Sequence, residues 1–389
     1  MEISQRKKIA ILFITALLIR VIFILTLKNM FYFDDEFEYY KVVQNFLTGN
    51  GFFVNEGLKG FRPPLYPFIL TILYSLKFNL LGIRLIQCVV SSLTVLLIYL
   101  TGKNLFSERV GLWSAVISAI YPFFIFYNGF LLTETCFIFL TVLAVYTIIG
   151  SEDRPLLWLK SGISLGLAGL CRPTMQLYLP VVLIHTVFLR ATAKEKIKKM
   201  FFIVLFFSIT VSPWVIRNYV VFGKFIPGTT MGGRVFWEGN NPYSDGGPCR
   251  YFPEEIEQLP EIQRDKAYYK KTIDTIKKNP SRFLWLAQNK FKRFWNIIPN
   301  ASEFTSPLYR VISVFSFGIM MPFFLLGFLI TLKNKKAQYI HSLFIIFTIS
   351  HVILLGSIRY RVPLEPFYII LAVYGFFWLK AEMLGIIKK

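Results

Sequence analysis

Residues 9–27 read IAILFITALLIRVIFILTL, and residues 34–40, a short step further on, read DDEFEYY. The first stretch holds one charge, Arg20. At ~1.5 Å per residue it is long enough to cross a hydrocarbon core of ~30 Å as a helix. No small-residue cleavage site interrupts it and more apolar runs follow, so it reads as a retained first membrane helix. The acidic cluster then begins where that helix should leave the membrane.

Working outward, comparable apolar runs occupy residues 80–101, 110–125, 133–149, 157–171, 174–189, 201–215, 311–332, 340–356 and 362–379. With the first this makes about ten spans, of which those at 157–171, 174–189 and 201–215 are short for a full crossing. The composition agrees. The 389 residues are 55% hydrophobic and 17% charged, include 41 Phe, and have a mean hydropathy of +0.54. Soluble domains run nearer ~45–50% apolar with about a quarter charged. An ordinary soluble enzyme is excluded, and the chain reads as an all-α polytopic membrane protein.

The net charge of +21, from 43 Lys and Arg against 22 Asp and Glu, is spread between the apolar runs. It therefore reads as membrane topology and contact with lipid headgroups, with no nucleic-acid partner. Lys7, Lys8, Lys103, Arg109, Arg154, Lys160, Arg190, Lys194, Lys333, Lys335, Lys380, Lys388 and Lys389 fall on one set of loop ends. That set is the cytoplasmic one by the positive-inside rule, which puts both termini in the cytoplasm. Three parts follow: residues 1–217 with an outer loop at 28–79, an outer segment at 218–307, and membrane helices at 308–389. Within the second, Phe283, Trp285, Leu286, Phe291 and Trp295 recur at helical spacing among lysines and arginines, as in helices lying on a membrane surface.

Some charges are not required by topology. Arg172, Arg217, Arg359 and Arg361 lie at outer span ends, and Arg62 and Arg84 in or beside the first outer loop. Any one of them can snorkel or pair with a carboxylate. Six near one surface favour a convergent anion site, because guanidinium forks match phosphate. The acids near that surface are Asp34, Asp35, Glu36, Glu38 and Glu134. Asp34 reads as the N-cap of a helix running to Leu47 and ended by Gly49-Asn50-Gly51. A carboxylate beside arginines suggests base catalysis next to an anionic leaving group. The histidines His185, His341 and His351 are scattered, Cys88, Cys136, Cys171 and Cys249 form no zinc or disulfide pattern, and no phosphate-binding Gly-rich loop is present. No metal site and no cofactor are expected.

The ordered strings Asp34-Asp35-Glu36-Phe37-Glu38-Tyr39-Tyr40, Phe61-Arg62-Pro63-Pro64-Leu65-Tyr66-Pro67, Leu132-Thr133-Glu134, Cys171-Arg172-Pro173, Ser212-Pro213-Trp214-Val215-Ile216-Arg217-Asn218-Tyr219, Glu238-Gly239-Asn240-Asn241-Pro242 and Arg359-Tyr360-Arg361-Val362-Pro363 run over nearly the whole chain. Together they resemble polyprenyl-phosphate-dependent glycosyltransferases of the GT-C fold. The resemblance is strongest to the branch holding the dolichyl-phosphate-mannose-protein mannosyltransferases and the aminoarabinose lipid A transferase (glycosyltransferase families 39 and 83). It implies a GT-C-like bundle of about ten membrane helices, with outer juxtamembrane helices and one long extracytoplasmic loop. Asp35 would match the catalytic carboxylate, with Glu36 beside it. Arg62 would contact the lipid phosphate, Arg172, Arg217 and Arg359 would add phosphate or sugar contacts, and Glu134 would stand near the acceptor. Phe61 departs from members that carry a metal-binding acid before the basic residue.

The implied reaction is inverting transfer of a hexose or pentose from a polyprenyl-phosphate-linked donor to a lipid, glycan or protein acceptor. It would take place on the extracytoplasmic face of the plasma (inner) membrane. Trp237, Tyr243 and Tyr251 are candidates for stacking on a sugar or packing the loop. The competing readings are a transporter or flippase of a lipid-linked or anionic solute and a polysaccharide polymerase. Transporters usually hold their key charges near the midplane, whereas these lie at one surface.

Overall fold

Apolar runs locate membrane helices, and the turns between them are set by caps. The computed structural model describes residues 3–150, 155–188, 191–300 and 306–385, so Arg154, Arg190, Lys388 and Lys389 lie outside the described residues. The helices in chain order are α1 (Ile3–Leu25), α2 (Asp34–Leu47), α3 (Leu65–Ser75), α4 (Leu80–Leu105), α5 (Glu108–Ala119), α6 (Pro122–Tyr127), α7 (Glu134–Gly150), α8 (Pro155–Cys171), α9 (Tyr178–Val187) and α10 (Ala193–Phe222). There follow α11 (Gly232–Glu238), α12 (Glu254–Glu257), α13 (Glu261–Lys278), α14 (Pro280–Trp295), α15 (Pro307–Ser313), α16 (Met321–Ile330), α17 (Lys335–Ile353), α18 (Ile358–Arg361) and α19 (Glu365–Met383). The Asn79 side chain caps α4, Ser107 caps α5, Thr192 with Glu195 forms a capping box for α10, and Asn334 caps α17.

The chain is an all-helical polytopic membrane protein, with no strand among the described residues. Each of the ten apolar runs is helical over most of its described length. Five stretches are long and apolar enough to cross a membrane alone: Lys7–Leu25, Leu80–Leu105, Ala193–Phe222, Pro307–Ile330 and Ile358–Met383. The remaining runs form shorter or interrupted helices. The run at 174–189 is the clearest case: a 3-10 turn at Pro173–Leu177 precedes the 10 residues of α9. At ~1.5 Å per residue that helix alone is too short to span. The run at 201–215 errs the other way, since α10 has 30 residues. Pro213 inside it cannot donate to Ile209, and the Ser212 hydroxyl donates to that carbonyl at 3.0 Å, so the helix continues.

The chain reverses direction from one long helix to the next. The first residues of α4, α7 and α19 and the last residues of α1, α8, α10 and α17 therefore share one end of the bundle. α19 lies at the centre, and Phe367, Leu371, Phe137, Leu165, Leu343 and Phe347 build the core around it. α8 packs closely on α10, where a Cβ on Gly162 would stand 2.5 Å from the Ile203 carbonyl. Ile11, Leu18 and Ile22 on α1 and Phe201, Ile209 and Ile216 on α10 face outward, a surface suited to lipid. The connection carrying α2 and α3 and the long segment carrying α11–α14 both lie at the shared end, and α14 packs on α17 and α18.

Candidate active site at the shared helix ends

The N-terminus of α2 is organised differently from the sequence expectation. Phe33 is the N-cap residue, and Asp34 opens the helix. The Glu36 carboxylate reaches back to accept the Tyr32 and Phe33 amides at 2.6 and 3.0 Å, and the Leu131 amide at 2.8 Å. Glu36 is fully buried in this backbone network and ties α2 to the segment that leads into Glu134. Asp34 faces outward and pairs with Arg250 at 2.8 Å.

With Glu36 turned inward, Asp35 lies on the face toward the bundle. One of its oxygens accepts from Arg62 Nη2 at 2.6 Å and the other from Arg359 Nη1 at 2.7 Å. Arg62 Nε also donates to Glu38 at 2.6 Å, and Tyr39 and Phe61 place their rings beside its guanidinium, at 5.2 and 5.5 Å. Arg359 extends to Glu134, donating through Nε and more distantly through Nη2. Glu134, with no exposed side-chain surface, also takes Arg172 Nη2 at 2.6 Å, and Arg172 Nε donates to Thr133 at 2.9 Å.

The result is an alternating chain, Glu38–Arg62–Asp35–Arg359–Glu134–Arg172, drawn from α2, the loop after it, α7, the end of α8, and α18. Three carboxylates face three guanidiniums. Arg359 keeps 30% and Asp35 24% of its side chain exposed, so the middle of the chain is open to a ligand while Glu134 closes its floor. Burial alone would raise Asp35, but Arg359 and Arg62 beside it hold its carboxyl well below the usual carboxylate range.

Of the six arginines singled out by side, Arg62, Arg172 and Arg359 meet here, and the structure does not bring the other three to the cluster. Arg84 donates to the Lys28 and Met30 carbonyls at 2.8 and 2.9 Å and holds the exit of α1. Arg217 donates to the Phe52 carbonyl at 2.8 Å and lies over the Trp214 ring. Arg361 is buried on Glu365 and on the carbonyls of Phe294 and Asn296. Loop carbonyls compete for guanidinium donors as well as phosphates do, and the sequence carries no mark of which will win.

Two participants were given no role from sequence. Glu38 is the outer partner of Arg62. Glu238, at the end of α11, has its carboxyl raised by burial, with Arg234 and Arg250 opposing and the charge of Asp35 adding to the rise. Its presence in the Glu238-Gly239-Asn240-Asn241-Pro242 string was the available signal. Of the three loop aromatics, Trp237 is buried and donates to the Tyr251 carbonyl, while Tyr243 and Tyr251 pack edge to face and stay exposed. Among the described residues no group of three or more His, Cys, Asp and Glu side chains converges to hold a metal, and both Asp35 oxygens are occupied by guanidiniums.

Residues 61–216 match the family model described as dolichyl-phosphate-mannose-protein mannosyltransferase. Among solved structures, the oligosaccharyltransferase of Archaeoglobus fulgidus in its apo form is similar with a TM-score of 0.60 and 14% identity, over 97% of this chain and 52% of that one. The same organism's oligosaccharyltransferase AglB, in complex with an inhibitory peptide and a dolichol-phosphate, is similar at 0.56 and 14%, over 100% and 53%. ArnT from Cupriavidus metallidurans bound to undecaprenyl phosphate gives 0.47 and 14%, over 94% and 77%. The chain spans about half the length of the oligosaccharyltransferase it matches. No curated protein matches. The resemblance to GT-C enzymes and the expected GT-C-like, all-helical membrane fold are thus borne out.

Proposed function

We propose that this protein is an inverting glycosyltransferase that moves a sugar from a polyprenyl-phosphate donor to a lipid, glycan or protein acceptor. The observation that carries the reading is the hold of Arg62 and Arg359 on the two oxygens of Asp35, at the point where Arg359 and Asp35 open the cluster to a ligand. Asp35 removes the proton from an acceptor hydroxyl or amine. The freed electron pair attacks the anomeric carbon from the side opposite the phosphate, and the bond from that carbon to the phosphate oxygen breaks with its electrons on the phosphate. Arg62, Arg172 and Arg359 match the charge that develops there, so a lipid phosphate needs no proton to leave. Glu134 orients Arg172 and Arg359 from below, on the acceptor side.

The pairing also gives the reaction an order. A carboxylate held by two guanidiniums is a weak base. A phosphate that draws the forks of Arg62 and Arg359 toward itself leaves Asp35 less compensated and more basic, so the base is competent only once the donor is bound. The donor adds first and the acceptor second.

The site faces the extracytoplasmic side. The opposite ends of the helices carry Lys103, Arg109, Lys160, Lys194, Lys333, Lys335 and Lys380, the distribution expected for the cytoplasmic side. Sugar nucleotides stay in the cytoplasm, which is why a transferase facing outward needs a lipid-linked donor. The mid-span cation that a transport path would use, Arg20, gives its donors to Ser91, Ala16, Ala119 and Ser118. Mass spectrometry of surface glycans, lipids and proteins from cells with and without the gene tests the proposal. Loss of one hexose- or pentose-sized unit is expected, and unchanged glycans, lipids and proteins would overturn it.

A further inference from the structure

Arg62 sits on a loop, and something must hold that loop still. Glu261, the first residue of α13, lies 201 residues beyond Gly60 in sequence, yet its carboxylate accepts the Lys59 amide at 2.5 Å and the Gly60 amide at 2.8 Å. It also accepts the Thr230 hydroxyl, while the Thr230 amide donates to the Gly60 carbonyl at 3.0 Å. These four bonds fix both sides of the backbone directly before Phe61 and Arg62. Gly60 fits this clamp because a Cβ there would meet the Phe222 ring at 2.9 Å and the Thr230 methyl at 3.2 Å.

Glu261 forms no salt bridge among the described residues and is 9% exposed. A buried carboxylate is costly unless hydrogen bonds meet its charge, and here two adjacent amides and a hydroxyl do so. One turn further along α13, Asp265 accepts the Gly233 amide at 2.7 Å at the start of α11. A Cβ on Gly233 would stand 2.1 Å from the Asp265 carbonyl, so α11 lies directly against α13. α11 carries Arg234, whose guanidinium is 5.8 Å from the Phe61 ring, and Glu238. α13 therefore holds the arginine loop and the opposite rim of the site from one helix face.

We propose that Glu261 is a positioning residue for Arg62, linking the long segment between α10 and α15 to the arm that binds the donor phosphate. This rests on the reading of Arg62 as a phosphate ligand. The test uses the detergent-solubilised full chain, undecaprenyl phosphate as the probe, and hydrogen exchange of residues 57–63. Glu261→Gln is expected to weaken undecaprenyl phosphate binding about tenfold, the loss of one or two charge-assisted hydrogen bonds, and to speed exchange across residues 57–63. In an Arg62→Ala background the same substitution is expected to cause no further weakening. Equal weakening in both backgrounds, which a general loss of structure produces, overturns the proposal, as does unchanged exchange. Should Glu261→Gln not fold, Thr230→Val removes only the hydroxyl and is expected to give the same pattern at smaller size. An unsubstituted protein that does not bind the probe overturns the reading of Arg62 instead. The exchange rates still decide whether Glu261 anchors the loop.

Discussion

Arg359 and Arg361 stand two residues apart on the single turn of α18, and the fold uses them in opposite ways. Arg359 is partly open and shared between Asp35 and Glu134. Arg361 is 1% exposed, bonded to Glu365 at 3.0 Å and to the Phe294 and Asn296 carbonyls, with its guanidinium 3.5 Å from the centre of the Phe317 ring. A spacing of two on a helix turns side chains to nearly opposite faces. One arginine faces the open cluster, and the other fastens the end of α14 to α19. Lys290 on α14 shows a third treatment of a buried cation: its ammonium donates to Asn240 Oδ1 at 2.6 Å and the Ile353 carbonyl at 3.0 Å, with no carboxylate partner among the described residues, and burial pulls it down to about 7. The partly open Arg359 is thus shared between two carboxylates, while the buried Arg361 and Lys290 serve as fastenings.

The comparison breaks first at Asp35. Asp35→Asn should leave folding and membrane insertion intact and lower transfer about 10²–10⁴-fold, the usual effect of removing a positioned base; a parental rate would remove Asp35 from that role. Next in size, Arg361→Ala leaves Glu365 buried without its cation and should cost about 3–5 kcal/mol in stability, read as lost folded yield in detergent. The paired change Arg361→Met with Glu365→Leu should recover most of that yield, because an apolar pair of similar volume removes both buried charges.

Arg359→Lys keeps the charge and loses the planar fork, so the donor KM should rise about tenfold while the melting temperature stays near that of the parent. An effect confined to stability would place Arg359 with Arg361 as a fastening. The smallest effect concerns pH. The value of Lys290 is lower in the folded chain than in the unfolded one, so between about 7 and the ordinary lysine range of ~10.4 the unfolded chain binds more protons and stability rises with pH. The stabilising contribution is lost as pH falls through about 7. Lys290→Met should flatten that dependence in a thermal-unfolding series, whereas Arg361→Ala should leave its slope unchanged.

Much of the fold was legible because membrane helices are written in long apolar runs that tertiary context rarely overrides. The misreadings have local causes. The helix around Pro213 continues because the Ser212 hydroxyl takes the carbonyl that proline cannot, and the run at 174–189 is broken by the 3-10 turn after Arg172. At α2 the string of acids could be recognised as a helix start but not sorted. Asp34, Asp35 and Glu36 are neighbours of the same type, yet one faces out to Arg250, one the cluster, and one the backbone amides of residues 32, 33 and 131.

By itself the sequence determined that the chain is a helical membrane protein, where its apolar runs lie, and that arginines collect with a few carboxylates at one set of helix ends. These are properties of runs and counts, and the transfer of apolar side chains out of water enforces them wherever the helices sit. Which arginines meet Asp35 was decided only by the tertiary structure. Asp35 and Arg359 are 324 residues apart, and their contact depends on the rotation of α2 and α18 about their own axes. A guanidinium at a helix end is equally satisfied by a carboxylate, a phosphate or a loop carbonyl. Only the packing that brings one of these within about 3 Å chooses among them.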